Sequence, residues 1–137
     1  MSTLEVDKIQ GVTTAGSISV TGEGNSTTTN LQQGLAKASC NLDGSGTATI
    51  RASSNISSVT DNATGKYTHA FTNSFSDVNS ITSGCNNQAN NTTSYNRYIS
   101  LPGAASASQV ITWGVRADNL DIEDPEFLQF VQHGDLA

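Results

Sequence analysis

Apolar and polar side chains alternate along most of the chain after residue 33, and turn-forming residues separate the alternating runs. A period of two places successive side chains on opposite faces of a strand, and turns roughly every 8–12 residues are typical of a β-sandwich or barrel. Residues 66–71 are the clearest case, because Tyr67, His69 and Phe71 share one face. No stretch keeps a helical period over three turns; the best helical candidate is residues 29–38. The pattern predicts an all-β fold.

Eight strands are predicted within residues 34–137, which we interpret as one antiparallel β-sandwich domain of jelly-roll-like type. They span residues 35–42, 47–51, 56–60, 66–71, 79–85, 95–101, 109–115 and 127–131. Glycines in the runs between them supply the backbone freedom that tight turns need. The large aromatic side chains Phe71, Trp113, Phe127 and Phe130 are expected in the core of this domain.

Residues 1–33 have a different pattern of apolar and polar residues and are predicted to form an extended N-terminal arm. Two short alternating stretches, residues 4–9 and 17–20, precede a polar run that reaches Thr29. Two such strands cannot bury a face alone, since an isolated hairpin is marginal in water. The apolar side chains of the arm are therefore expected to be buried between chains or against a partner protein; they are Leu4, Val6, Ile9, Ile18 and Val20.

Serine, threonine and asparagine dominate the composition, with 18, 17 and 13 residues among 137. Charged residues make up only 13%, and 12 acidic residues outnumber 6 basic ones, for a formal net charge of −6. Nucleic acids and anionic membrane surfaces are bound through basic patches, so neither is predicted as a partner. No apolar run approaches the roughly 18 residues of a membrane span, and residues 1–8 lack the basic and apolar regions of a secretory signal. Membrane insertion is not predicted, and the chain is expected to stay in a cytoplasm until lysis or assembly.

Catalytic chemistry finds little support in the residue pattern. No Gly-x-Ser-x-Gly elbow is present, and the two histidines occupy a mid-strand position (His69) and the end of the chain (His133). A glycosidase would need paired carboxylates in a cleft with aromatic sugar platforms, and this chain has one tryptophan and three tyrosines. The glycine-rich segments lack the residues of phosphate-binding loops. The chain is predicted not to be an enzyme, with no catalytic residue, metal or cofactor.

Two features leave alternatives open. Cys40 and Cys85 lie in different predicted strands, and without a secretory signal the preferred interpretation is two reduced, buried thiols; a disulfide is the alternative. The acidic run of residues 118–124 offers alternating oxygen ligands that suit Ca²⁺. It lacks the glycine and the terminal glutamate spacing of an EF-hand, so a solvated acidic loop is the preferred interpretation.

Several segments resemble tail-fibre and other virion structural proteins of marine and cyanobacterial tailed phages. The opening Met1-Ser2-Thr3-Leu4-Glu5-Val6-Asp7-Lys8-Ile9-Gln10 is similar to the first residues of these chains. Lys37-Ala38-Ser39-Cys40-Asn41-Leu42-Asp43-Gly44-Ser45-Gly46-Thr47 and the segment Asn55–Thr68 resemble two of their strand-and-turn segments, and Phe71-Thr72 with Asp77-Val78-Asn79 fits the continuation. The resemblance covers most of residues 1–80. Ser39 and Ser80 depart from it, because the family has Trp and Tyr at those places.

The resemblance implies a homotrimeric virion component that is assembled in the host cytoplasm. Its N-terminal arm would attach to other proteins of the particle, and its β-domain would project outward as a short fibre or appendage on tail, neck or capsid. The family brings no active site that transfers to this chain.

A receptor- or glycan-binding module that contacts the host surface is the alternative function. Its contact region would be the polar loop of residues 86–96 and its surroundings, since binding sites are often carried by loops on a rigid scaffold. Asn91, Tyr95 and Arg97 are the candidate contact residues.

Overall fold

The computed structural model describes residues 5–10, 18–21, 28–87, 97–100, 106–116 and 120–137. The chain divides into two units, Met1–Leu35 and Ala36–Ala137. In the first unit, β1 (Ser19–Thr21) pairs antiparallel with β2 (Thr28–Asn30), and a single helical turn, α1 (Leu31–Gly34), follows. Nothing in the described ranges amounts to a helix with the length and apolarity needed to cross a bilayer.

Two local predictions for the first unit are wrong. Residues 5–10 contain no strand, so the strand predicted over residues 4–9 is absent from its described part. The end of the polar run forms most of β2, which pairs with β1 through its backbone. The helical candidate over residues 29–38 is reduced to the one turn of α1, which the backbone bond from Leu31 N to the Ile18 carbonyl (2.8 Å) ties to the ladder.

Eight strands build the second unit. They are β3 (Ala36–Asp43), β4 (Thr49–Ser54), β5 (Ile56–Ala63), β6 (Lys66–Phe71), β7 (Ile81–Asn87), β8 (Arg97–Ser100), β9 (Gln109–Arg116) and β10 (Phe127–His133). Each lies on or beside a predicted strand, with ends that differ by a few residues, and β6 has the predicted bounds.

The eight strands form two four-stranded sheets in the orders β4-β3-β10-β7 and β5-β6-β9-β8. All neighbours are antiparallel, which confirms the predicted all-β sandwich. Eight strands in two sheets match a jelly roll in number, although the hairpins β3-β4, β5-β6 and β8-β9 each lie within one sheet. The chain closes on itself, because the last strand, β10, is inserted between β3 and β7.

The core lies between the two sheets and follows the period of two. Along β3, Ala38, Cys40 and Leu42 are buried, and along β6 Tyr67, His69 and Phe71 are buried. The largest fully buried side chains also include Leu128 of β10. Rings from the two sheets meet where His69 packs edge-on against Phe130, with 4.8 Å between centroids.

Two of the four aromatic residues expected in the core lie elsewhere. Phe71 and Phe130 are buried as predicted, whereas Trp113 and Phe127 are half-buried. Alternation explains this, because their strand neighbours Thr112 and Leu128 point inward. Each outer ring is covered by a cation: Lys66 Nζ lies 4.8 Å from the Trp113 centroid, and Arg51 Cζ lies 4.1 Å from that of Phe127.

Candidate functional site

The apolar side chains of the arm are largely uncovered within the chain. Val6, Ile9 and Val20 are 54%, 60% and 52% exposed, and Ile18 is half-buried beside β1. Leu4, the fifth residue predicted to bury against a partner, lies outside the described residues. Three large aliphatic side chains thus stand in solvent on a unit whose only described ladder has two three-residue strands. Their burial against another chain stays a prediction.

The candidate receptor contacts are placed only in part. Asn91 and Tyr95 lie outside the described residues. Arg97 begins β8, where its backbone pairs with Arg116 of β9. The receptor-contact site of these three residues therefore stays a prediction.

The described part of the acidic segment is anchored to the sandwich. Asp124 is half-buried, and its Oδ1 accepts hydrogen bonds from the Tyr67 hydroxyl (2.8 Å) and the Gly65 backbone N–H (2.5 Å). Glu123 Oε1 forms an ion pair with Arg116 Nη1 at 3.0 Å. The expectation of a solvated loop is wrong for Asp124, whose carboxylate instead bonds groups of the turn between β5 and β6.

Close packing against the acidic segment explains why this turn has glycine at position 65. Gly65 has φ +63°, a conformation that glycine adopts at little cost, and a Cβ there would collide with the Glu123 carbonyl oxygen. The Tyr67 hydroxyl is buried beside this contact, and burial with the neighbouring Asp124 carboxylate raises the pKa of Tyr67 well above its usual value. The Tyr67 hydroxyl therefore keeps its proton at neutral pH, and Asp124 Oδ1 (2.8 Å) is a nearer acceptor for it than the Gly44 carbonyl (3.3 Å). Among the described residues, no group of three or more His, Cys, Asp or Glu side chains is arranged to hold a metal ion.

His69 and Thr112 form a polar pair in the sandwich interior. His69 Nε2 lies 2.9 Å from Thr112 Oγ1, and both residues are fully buried. His69 lies in the middle of β6, and the core encloses its whole ring. Burial lowers the pKa of His69 from 6.5 to about 4, since the charged ring would lose its solvation. A hydroxyl and an imidazole at this distance resemble a nucleophile and its base, but no substrate reaches a pair sealed between two sheets.

A groove of about 610 Å³ crosses the outer face of the sheet β4-β3-β10-β7. Small and uncharged side chains line it, among them Ser39, Asn41, Ala52, Ser83, Cys85, Gln129 and Val131. The register aligns them in rows across the sheet, since Asn41 and Cys85 both pair with Gln129, and Ser39 and Ser83 both pair with Val131. The groove follows from short side chains over the middle strands, with the larger Phe127 and Ile81 towards the strand ends.

The two cysteines occupy opposite sides of this sheet. Cys40 is buried in the core, and burial raises its pKa to about 11. Cys85 is exposed at the groove, with Sγ 3.9 Å from Gln129 Oε1. Both thiols are free, as the preferred interpretation states, but the expectation that both are buried is wrong for Cys85.

The sequence pattern did not predict the groove. Its residues carry no motif, and a serine, an asparagine or a glutamine on a strand is common in a chain of this composition. The only sequence signal for it is the alternation along β3, which places Ser39 and Asn41 on the outer face of the strand when Cys40 faces the core. Their grouping with Ser83 and Gln129 depends on a sheet order that pairs strands far apart in sequence.

Comparison of the chain with protein-family models, curated proteins and solved structures found no match.

Removal of the Tyr67 hydroxyl is expected to weaken the anchor of the acidic segment. Tyr67→Phe leaves Asp124 half-buried with one donor fewer, so we expect a loss of about 1–3 kcal/mol in the free energy of unfolding. Urea denaturation measures this loss. Asp124→Asn is the control, because it keeps an acceptor oxygen and should cost less than Asp124→Ala. Equal stability of Tyr67→Phe and the wild type would contradict the anchor.

The stability of the sandwich should depend on pH through His69. Its folded pKa of about 4 lies below the unfolded value of 6.5, so between those values a proton binds the unfolded chain preferentially. The contribution is present above pH 6.5 and is lost towards pH 4; at pH 4.5 the loss is about 2–3 kcal/mol. Urea denaturation of the wild type and His69→Gln at several pH values isolates this effect, because carboxylates titrate in both proteins. Parallel pH profiles would contradict it.

Proposed function

We propose that this chain is a non-enzymatic virion structural protein of a tailed phage, a short fibre or appendage that assembles as a homotrimer. The observation that carries the proposal is the exposure of Val6, Ile9 and Val20 on the N-terminal unit. Solvent exposure of three aliphatic side chains in a unit with so short a ladder is unfavourable, and association removes them from water. In this function the arm attaches the protein to its own copies and to other proteins of the particle.

Three further properties support the same role. The segment resemblance to phage tail-fibre and virion proteins runs through β3, β5 and β6, where strand and turn residues recur in the same order. The chain has few charges, and the buried polar pair His69 and Thr112 is bonded to itself inside the sandwich rather than open to a substrate. The strand β4 ends its sheet and is largely exposed, and association between chains is a common way to cover such an edge.

The mass of the chain in solution tests the proposal. We expect light scattering on a sizing column to give the mass of three chains for the wild type. The double variant Val6→Asp and Ile9→Asp should associate at least tenfold more weakly, because burial of each aliphatic side chain contributes roughly 1.5–3 kcal/mol.

Val78→Asp is the matched control, since Val78 is as exposed as Val6 (54%) but belongs to the second unit. We expect this variant to keep the wild-type mass. A wild type that elutes with the mass of one chain at every concentration would contradict the homotrimer. Equal masses for the wild type and the arm variant would contradict the role of the arm.

A further inference from the structure

We infer that the outer face of the sheet β4-β3-β10-β7 is the surface on which a second copy of this chain packs. The inference rests on the proposed homotrimer and names a surface through which its copies meet. It assigns the groove on this face to a subunit interface rather than to a ligand.

Charge is the first reason. Copies of a chain with a net charge of −6 repel one another, so a contact between them is least costly where neither side carries charge. The residues that line the groove are all uncharged. Charged side chains lie beyond both ends of the lined area: Lys37 on β3 at one end, and at the other a cluster in which Arg51 Nη2 lies 2.6 Å from Asp43 Oδ2 and 3.6 Å from Glu126 Oε1. An uncharged centre with a charged, solvated rim is the usual layout of a protein interface.

The side chains on this face also favour close approach. Ser39 and Ser83 flank Val131 in one row, and Asn41 and Cys85 flank Gln129 in the next, so no side chain longer than glutamine stands in these rows. Val131 and Ile81 add apolar surface, with 40% and 73% of their area exposed. These properties suit a protein surface that excludes water over a broad area.

Asn41 supplies an independent observation. Its Oδ1 atom is buried and has no hydrogen-bond partner among the described residues. A buried acceptor without a donor costs roughly 1–3 kcal/mol. Because this oxygen has almost no accessible surface, it would meet an N–H or O–H group of a neighbouring copy only after the Asn41 side chain turns towards the groove.

The size of the face indicates why the arm is also needed. Four strands about 4.8 Å apart and seven residues of about 3.4 Å give a face of roughly 450 Å². Stable interfaces bury about 800 Å² on each partner. The face alone is too small, and the apolar arm residues Val6 and Ile9 provide the kind of additional surface that a stable assembly requires.

The reactivity of Cys85 towards iodoacetamide tests the inference. Cys85 is the exposed thiol and Cys40 is buried, so mass spectrometry of the alkylated wild type follows Cys85 against an internal reference. We expect alkylation of Cys85 to slow at least tenfold at chain concentrations where light scattering reports three chains, relative to dilute, dissociated protein. The control is Thr60→Cys in a Cys85→Ser background, because Thr60 is exposed on β5 in the opposite sheet; the thiol there should react at the same rate at both concentrations.

A second pair of variants addresses the same face without a thiol. Ser83→Arg places charge and bulk in the groove and should lower the mass at a given concentration, whereas Ser58→Arg, on exposed β5, should not. The inference would be overturned if the protein has the mass of three chains and Cys85 is still alkylated rapidly, or if Ser83→Arg leaves that mass unchanged. The homotrimer would then stand, and the groove would be open for a ligand. One chain at every concentration would contradict the homotrimer itself and this inference with it.

Discussion

The insertion of β10 between β3 and β7 is the interaction on which the rest of the second unit depends. β3 and β10 are the first and last strands of this unit, and their pairing places Phe130 opposite Cys40 and Leu128 opposite Leu42. β10 joins the hairpin β3-β4 to the strand β7 in one sheet. It also carries Phe130, whose ring packs against His69 of the other sheet. The same insertion builds both faces of the sheet, because the residues between the buried ones, Gln129 and Val131, form the middle of the outer groove. The register of β10 therefore determines both which residues lie in the core and which residues line the groove.

Polar groups inside the sandwich are stabilised by partners from distant strands. His69 bonds Thr112, and Tyr67 bonds Asp124, so β6 is tied both to its sheet neighbour β9 and to the segment that leads into β10. Hydrogen bonds of this kind contribute modestly when made, but a buried group left without one is costly. They therefore favour the one register in which all partners meet, and the tie from Tyr67 fixes the approach of the last strand.

Local patterns predicted the strands well but not the pairing of strands that lie far apart in sequence, such as β3 with β10. The alternation of residues 66–71 defines β6 to the residue, because one face is fully buried and the other is not. The prediction for Trp113 and Phe127 is wrong because alternation along the strand, and not aromatic size, decides which face a side chain takes. Both rings lie on outer faces, under Lys66 and Arg51. The strand partner of β1 in the arm was not predicted for a different reason. It is a polar stretch without apolar alternation, and it pairs with β1 through its backbone. The groove could not be predicted, since it combines residues of four strands whose order follows from long-range closure.

Association completes this account, because both the arm and the outer sheet face leave apolar or uncharged surface in water within one chain. Any assembly that binds the folded chain and not the unfolded one raises the stability of the fold in proportion to the logarithm of chain concentration. The most direct test is the thermal midpoint of unfolding of the full chain over about a hundredfold range of concentration. The account predicts a midpoint that rises steadily with concentration. A midpoint that stays constant over that range would contradict it, because folding would then owe nothing to neighbouring copies.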